Sequence, residues 1–449
     1  MRNQKPEQNT KPSLVTLDGG STRNFLAEKY PCSVLYSAQA FERVILHFDG
    51  DSFFASVEQA MDFRLKGKPI VTGGERGAIT SASYEAKRLG IGRGISLRDA
   101  KKICPDLVIV PGDYLSYSIF AERMYAIVRE FTPLVEEYSI DECFADITGL
   151  DVVFNKSYEE IALDIKKKLE ASLGVTFGVG MGPCKVLAKI GSKHRKPAGF
   201  TVVSAENRAD FLRTLPLGKV WGIGPSTSIE LAKLGIFTAL QFAEKPRAWI
   251  EDKKISKPYR ETWLELQGFY VKELSLLHEA PHSIIKSRTF SPPSSDRAFI
   301  FSQLSKNIEA ACAKARRHKV RSGEIRFYLK TQSFIYKGKD IPMPLPTASP
   351  MEMIRLVAEF FDDVYRPGVL YRATGVSLKT FKSSANTMDD LFGLSVDTEK
   401  TAAVFSVVDR LSHRYGEHFV HLGSSLEAFA ARDERAKKTL DIPCLGVAR

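Results

Sequence analysis

Residues 44–48 form a short apolar run rich in β-branched side chains, the pattern of a buried strand, and it stops abruptly at Asp49-Gly50-Asp51. Phe53, Phe54, Ala55 and Val57 follow at spacings that let a helix bury one side. Short strands at 69–71 and 78–82 and a helix at 97–102 are set among frequent glycines, which predicts a small subdomain with tight turns. Tyr117, Phe120, Met124, Ile127, Val128 and Phe131 recur with helical period, predicting a helix over 113–131. Strands at 134–140 and 143–147 then meet around Asp141-Glu142, followed by a helix at 158–173 and a buried strand at 175–179. Residues 206–275 read as helical, interrupted at Gly222-Ile223-Gly224-Pro225. After a linker-like stretch at 276–287 the pattern is a strand near 284–290, a helix at 299–317, strands at 324–331 and 334–338, a helix at 351–365 and a strand at 371–380. Residues 1–42 are polar without sustained period, and the tail from Ser424 is charged and uninformative. The fold class expected is α+β and multidomain.

Composition changes this picture little. A chain of 449 residues exceeds one core, so two to four domains are expected. The formal net charge of +11 is compatible with a polyanionic partner or with simple solubility, and only clustering can decide between them. The six cysteines are scattered, with no Cys-x-x-Cys pair and no histidine at zinc spacing, which argues against a disulfide framework or structural zinc. The polar start is no secretory signal, and no run approaches the ~18 apolar residues of a membrane span. A cytosolic protein without a membrane partner is expected.

The candidate chemistry lies in the acids. Asp49 and Asp51 flank a glycine at a strand end, a combination common in turns, and Asp141-Glu142 reads equally as a polar hairpin tip. Adjacent strand residues point to opposite faces, so Asp141 and Glu142 converge only if a turn or bulge intervenes. If Asp49 joins them, three carboxylates share one sheet edge, where their mutual repulsion would be relieved by a pair of divalent ions. Two such ions about 3.5–4 Å apart form the clamp used for in-line phosphoryl or nucleotidyl displacement. The cations cluster too. Lys185, Lys189, Lys193, Arg195 and Lys196 fall within twelve residues, and Lys185 and Lys189 share a helix face. They form either a solvated face or a phosphate-contacting one. Lys314, Arg316, Arg317, Lys319, Arg321, Arg326 and Lys330 stand against one acid, Glu324.

D-G-D-S-F-F-A-S-V-E, S-Y-E-A-K-R-L-G-I, S-I-D-E-C-F-A-D-I-T, G-V-G-x-x-x-C-K-V-L-A-K-I-G-S-K-x-x-K-P-x-G and W-G-I-G occur in that order. Together they closely resemble the Y-family translesion DNA polymerases, most nearly the bacterial DNA polymerase IV branch. The motifs are strong from about Val44 to Gly235 and weaker to about Leu422. The resemblance implies a right-hand-like polymerase. Its palm would comprise 43–52 and 113–205, its small fingers 53–112, its helical thumb with a helix-hairpin-helix turn 206–275, and its α+β little finger 288–422. A 276–287 linker, a 1–42 arm and a 423–449 tail complete the division.

The same resemblance implies site residues. Asp49, Asp141 and Glu142 would be catalytic and bind two Mg²⁺ (Mn²⁺ being possible), with Gly50 adding its carbonyl and Asp51 in a supporting role. Phe54 would be a steric gate against the ribose 2′-OH, with Phe53 in the core. Tyr84, Lys87 (ahead of Arg88) and Lys196 would contact the triphosphate, with Lys87 standing where an arginine is usual. Ala78 and Thr80 would lie over the incoming base pair. Lys185, Lys189, Gly222, Gly224, Arg316, Arg317, Arg326 and Lys330 would contact DNA. Lys193 stands where relatives often carry an acid, a change with no account at this level. Leu391-Phe392 is either a core pair or a sliding-clamp anchor whose usual glutamine is missing. The implied function is low-fidelity, template-directed addition of a dNTP to a primer 3′-OH, by a monomer in the bacterial cytoplasm, associated with the nucleoid. The competing reading is an inactive adaptor of the same family that binds DNA and the clamp.

Overall fold

The computed structural model describes residues 43–73, 78–253, 255–276, 281–383, 394–415 and 420–430. The chain divides into two compact units, Met1–Leu277 and His278–Arg449.

In chain order the first unit runs β1 (Ile45–Gly50), α1 (Phe53–Met61), β2 (Ile70–Gly73), β3 (Ile79–Ala82), α2 (Tyr84–Arg88), α3 (Leu97–Ile103), β4 (Val108–Val110) and α4 (Tyr114–Arg129). It continues with β5 (Val135–Ser139), β6 (Glu142–Asp146), α5 (Leu150–Phe154), α6 (Tyr158–Leu173), β7 (Phe177–Gly182), α7 (Lys185–His194) and β8 (Phe200–Val202). Helices α8 (Arg208–Thr214), α9 (Pro225–Lys233), α10 (Ala239–Ala243), α11 (Arg247–Asp252) and α12 (Lys257–Leu266) close it.

The main sheet has the order β5-β6-β1-β7-β8, so β1 is its middle strand, antiparallel to both neighbours. Strand alternation divides β1 in two. Leu46 and Phe48 join the core made with Met124, Val128, Ile161, Ile165 and Leu169 of α4 and α6. Ile45, His47 and Asp49 take the other face, where Ile45 packs with Phe144 and Ala188 of α7. A separate small sheet, β3-β2-β4, has its own core of Val71, Ile79, Ala86, Ile91 and Leu107.

Helix α7 lies unusually close to β7, and glycine makes that possible. A Cβ on Gly180 would sit 1.9 Å from the carbonyl oxygen of Ala188 and 2.3 Å from the amide nitrogen of Ser192. One on Gly178 would sit 2.4 Å from the carbonyl oxygen of Ser192. The G-V-G run therefore brings the helix, and the lysines on it, down onto the sheet. Helix α6 starts with a complete capping box between Ser157 and Glu160 and ends at Gly174 with φ of 66°.

The second unit comprises β9 (Ile284–Ser294), α13 (Arg297–Arg317), β10 (Val320–Thr331), β11 (Tyr336–Thr347), α14 (Pro350–Val364), β12 (Tyr371–Ser383), α15 (Leu394–Tyr415) and α16 (Leu426–Ala430). Its antiparallel sheet has the order β11-β10-β12-β9. Ile325, Phe327 and Leu329 of β10 are buried in one core with Leu304 and Ile308 of α13 and Val357 and Phe361 of α14, leaving the alternate residues of the strand on the opposite face.

The elements expected from periodicity are present, with informative differences. Strand β1 runs through Asp49 and Gly50, so the first acid lies within the end of the central strand and not beyond it. β7 starts two residues later than expected and continues through Gly182, because its glycines reflect helix contact and not a turn. β11 carries Pro342, Pro344 and Pro346, and β9 carries Pro292 and Pro293; both are edge strands, where missing N–H donors are tolerated. Helix α15 was not anticipated. Among the described residues no helix is long and apolar enough to cross a membrane.

Replacing Gly180 with alanine is expected to lower stability by about 1–3 kcal/mol or more, since its Cβ meets backbone that cannot rotate away. Urea unfolding of the Gly180→Ala variant measures this, and an unchanged midpoint would contradict the packing described.

Candidate active site

Asp49 and Glu142 are direct cross-strand partners in the β1–β6 ladder, so both carboxylates project from the face that carries α7. The turn between β5 and β6 is formed at Ile140-Asp141, with a register shift between Glu137 and Ser139, which supplies the expected irregularity. Its backbone is tied to β1 by the Gly50 N–H donating to the Asp141 carbonyl at 2.8 Å. The Asp141 carboxylate itself accepts from Ser139 Oγ at 2.7 Å. The structure thus places all three acids at one edge, with Asp49 and Glu142 facing together and Asp141 turned to its own hairpin.

Two like charges opposite each other would repel, and α7 answers them with lysines at i, i+4 and i+8. Lys185 Nζ is 2.6 Å from Glu136 Oε2, and Lys189 Nζ is 2.5 Å from Glu142 Oε2. Lys193 Nζ lies 3.6 Å from Glu142 Oε1 and 3.9 Å from Asp49 Oδ2. Lys196, just past the helix, pairs with Asp49 Oδ1 and lies 3.3 Å from Asp51 Oδ1. Burial raises the Asp49 pKa to about 6, against the opposing pull of Lys196. For Glu142 burial acts in the same direction, but the imidazole of His47 and the ammonium of Lys189 outweigh it and hold the carboxyl well below its usual range. His47 is fully buried, its Nδ1 2.7 Å from Ser192 Oγ, and burial lowers its pKa to about 4.

This arrangement corrects one expectation. Lys185 and Lys189 do share a helix face, but it is the inward one: they are 5% and 6% exposed and committed to acids of the same unit. They neutralise acids of their own unit, where a DNA-facing surface was expected. Aromatic rings enclose them. Lys189 lies 4.1 Å from the Tyr138 ring centroid and 5.1 Å from that of Trp221, and Trp221 Nε1 donates to Tyr138 Oη at 2.8 Å. The W-G-I-G turn is thereby joined to the acid hairpin. In that turn Gly222 has φ of 91°, which favours glycine, and Gly224 caps α9 with open space where a Cβ would project.

Asp51 is the hidden support. Completely buried, it accepts from Tyr84 Oη (3.3 Å), Thr176 Oγ1 (3.0 Å) and the Ala198 N–H (2.6 Å), besides facing Lys196. One carboxylate thus ties the strand end, α2, the start of β7 and the K-P-A-G turn, where Ala198 is held at φ 58°. Gly50 is required by Phe53, whose ring would lie 2.6 Å from an added Cβ.

Phe53 is in the core, and Phe54 is half-buried at its margin. The Phe54 ring stacks on Tyr117 (centroids 4.3 Å apart, planes 10° apart) and meets Tyr114 edge-on at 5.6 Å. Tyr117 Oη donates to Glu58 Oε1 at 2.6 Å, and burial raises the Glu58 pKa. Glu58 stands four residues after Phe54 on α1, so the helix braces its own ring. Neither Tyr117 nor Glu58 was singled out from sequence: Tyr117 read as ordinary core, and the i+4 spacing of Glu58 was the one available signal.

Lys87 Nζ lies 4.4 Å from the Tyr84 ring centroid and donates to Ser52 Oγ at 2.6 Å, so it turns to the site, while Arg88 lies exposed on α2. Thr80 Oγ1 is 2.9 Å from Thr72 Oγ1 within the small sheet, and Ala78 is exposed beside it. In the second unit Arg316 grips Asp409 through two 2.7 Å hydrogen bonds and donates to the Ala348 carbonyl at 2.9 Å. Where a DNA contact was expected, the structure shows Arg316 in an internal clamp. Arg317 is exposed, Arg326 pairs with Asp340 at 2.8 Å while exposed, and Lys330 lies beside Phe334 and Tyr336. Leu391 and Phe392 lie outside the described residues.

Among the described residues, no three acid, histidine or cysteine side chains converge closely enough to hold a metal ion as they stand. The donor chemistry nevertheless fits one: carboxylate and carbonyl oxygens suit a hard divalent cation, and the places such a charge would compensate are filled by ammonium groups.

Residues 48–193 match the impB/mucB/samB family, 205–236 match the IMS family HHH motif, and 281–391 match the impB/mucB/samB family C-terminal domain. The DNA polymerase IV of Pelotomaculum thermopropionicum is 30% identical over 400 residues, spanning 87% of this chain and 97% of that protein. That of Moorella thermoacetica is 31% identical over 398 residues, spanning 85% and 96%. A solved Y-family DNA polymerase chimera has the same fold, with a TM-score of 0.62 at 24% identity over 75% of this chain and 98% of that one.

Removing the Asp51 carboxylate strands several buried donors. Asp51→Ala is expected to cost about 3–5 kcal/mol, and Asp51→Asn less. Equal thermal melting of Asp51→Ala and wild type would contradict its tying role.

Proposed function

The chain belongs to the impB/mucB/samB family of Y-family translesion DNA polymerases, and we propose that its polymerase chemistry runs at the Asp49–Glu142 edge. The enzyme acts on primer-template DNA and dNTPs and depends on divalent metal. The single observation that carries the site assignment is the direct register of Asp49 with Glu142, with the Asp141 backbone bonded to Gly50. The inactive-adaptor reading is not favoured.

Asp49, Asp141 and Glu142, with the Gly50 carbonyl, are the residues that would hold two Mg²⁺ (or Mn²⁺), which supply charge neutralisation and a more acidic primer hydroxyl when bound. The reaction joins the primer 3′-oxygen to the dNTP α-phosphorus, breaks the bond to the β-phosphate, and releases pyrophosphate and the hydroxyl proton. The chain's own residues bind and orient. Lys196 and Lys87, with the Tyr84 hydroxyl, receive the triphosphate as anion partners. Lys87 does so as a point charge, without an arginine's two-pronged geometry. Phe54 excludes a ribose 2′-OH by contact, and its stacking on Tyr117 keeps the ring from yielding. Small residues, Ala78 and Thr80, border the nascent base pair and leave room for distorted templates, at a cost in fidelity.

DNA is held through phosphates, by backbone N–H groups around Gly222 and Gly224 and by Arg317, Arg326 and Lys330 of the second unit. The palm, fingers, thumb and little finger divide the chain as 43–52 with 113–205, 53–112, 206–275 and 288–422. Four separate cores support a four-part division, although Phe53 and Val57 pack with the main sheet, Cys184, Val186, Leu187 and Val203 with the late helices, and Ile284, inside the expected linker, already belongs to the second unit's core. All residues assigned to chemistry lie in one unit of one chain, as suits a monomer, and a DNA substrate makes the bacterial nucleoid its place of work. Leu391-Phe392 is kept as a clamp anchor.

Primer extension with Mg²⁺ tests this. Wild type is expected to add nucleotides and Asp141→Ala/Glu142→Ala to lose activity by at least about 10³-fold; no extension by wild type with Mg²⁺ or Mn²⁺ would overturn it.

A further inference from the structure

The acid edge is electrically balanced by lysines, and these lysines are not equivalent. Asp49 and Glu142 face Lys189, Lys193 and Lys196. The Lys189 side chain is 7% exposed, hydrogen-bonded to Glu142 and enclosed by Tyr138 and Trp221. Leaving would cost it an ion pair and several ring contacts at once. Lys196 is anchored twice, to Asp49 and to the buried Asp51. Lys193 differs. It sits in the last turn of α7, its side chain is 51% exposed, and it touches both Asp49 and Glu142 only at 3.9 and 3.6 Å. These distances exceed those of a direct hydrogen bond, and a half-exposed pair of this kind is weakly held.

Resting on the metal reading above, we propose that Lys193 is a tethered cation that occupies the charge position between Asp49 and Glu142 and is displaced when a divalent ion binds there. Its ammonium relieves the repulsion of the cross-strand acids in the metal-free chain, and it withdraws to solvent without disturbing the fold. Without nucleotide, the pairs of Lys189 with Glu142 and of Lys196 with Asp49 and Asp51 stay in place and keep the carboxylates oriented. Lys193 therefore lowers the affinity of this edge for a divalent ion: the ion must meet a like charge and break two ion contacts. This gives a role to a lysine that sequence alone left unexplained, and it makes metal occupancy conditional on a residue that needs only a side-chain rotation to move.

The test is binding of Mn²⁺ alone, without DNA or nucleotide, to the full chain, with free Mn²⁺ counted by electron paramagnetic resonance. Lys193→Ala is expected to bind Mn²⁺ about tenfold more tightly than wild type, as removal of one unit charge near a divalent ion implies. Lys193→Gln serves as a second variant with a side chain of similar reach. Lys193→Arg, which keeps the charge, should stay close to wild type, and Lys167→Ala, a charge removed from the exposed face of α6, should leave affinity unchanged. Equal affinity of wild type and both neutral variants would overturn the role of Lys193, as would tightening of the same size in Lys167→Ala. If Asp141→Ala/Glu142→Ala bound Mn²⁺ as well as wild type, the metal reading of the acids would fail instead, and this inference with it.

Discussion

The structure depends on one electrostatic problem: two carboxylates placed side by side on a covered face of a sheet. Asp49 and Glu142 are in register, and nothing in a β-ladder separates them. Left alone they would repel in a setting with little water. The solution is a helix laid very close to the sheet, with a lysine on each successive turn of its inner face. That closeness rests on glycines in β7, since any side chain at Gly180 would collide with the helix backbone. The paired acids, the helix placement and the glycine spacing are therefore one arrangement. A change in any of them reaches the others.

Around that centre, rigidity is distributed by a few buried polar groups. Asp51 draws separate segments to one carboxylate, so the strand end, the tyrosine-bearing helix and the turn carrying Lys196 keep a common geometry. Phe54 is steadied in a different way, by stacking on a tyrosine whose hydroxyl is held by Glu58 of the same helix. The steric gate proposed for Phe54 would need a ring that does not yield. On the other side, Trp221 links the glycine turn to Tyr138 of the acid hairpin, so that turn is mechanically continuous with the carboxylates.

Much of this was legible in the chain. The apolar run before Asp49 announced a buried strand, and the ordered motifs identified the family, because these features depend on local composition. Direction was harder to read. Spacing placed Lys185 and Lys189 on one helix face but could not say whether it looked outward, and the acids that draw it inward, Glu136 and Glu142, lie far earlier in the chain. The internal pairing of Arg316 was hidden for the same reason, its partner Asp409 belonging to a helix that periodicity did not reveal. The prolines of β11 hid a strand because the pattern does not tell edge from centre. Lys193 had no meaning until both carboxylates were seen beside it.

The most direct measurement is a crystal structure of the enzyme with primer-template DNA, a non-hydrolysable dNTP analogue and Mn²⁺, read by anomalous scattering. Two peaks bounded by Asp49, Asp141 and Glu142, with the Lys193 ammonium withdrawn from between the first and last, are the expected result. Mn²⁺ bound elsewhere, or Lys193 still lodged between Asp49 and Glu142 with the metals in place, would contradict it.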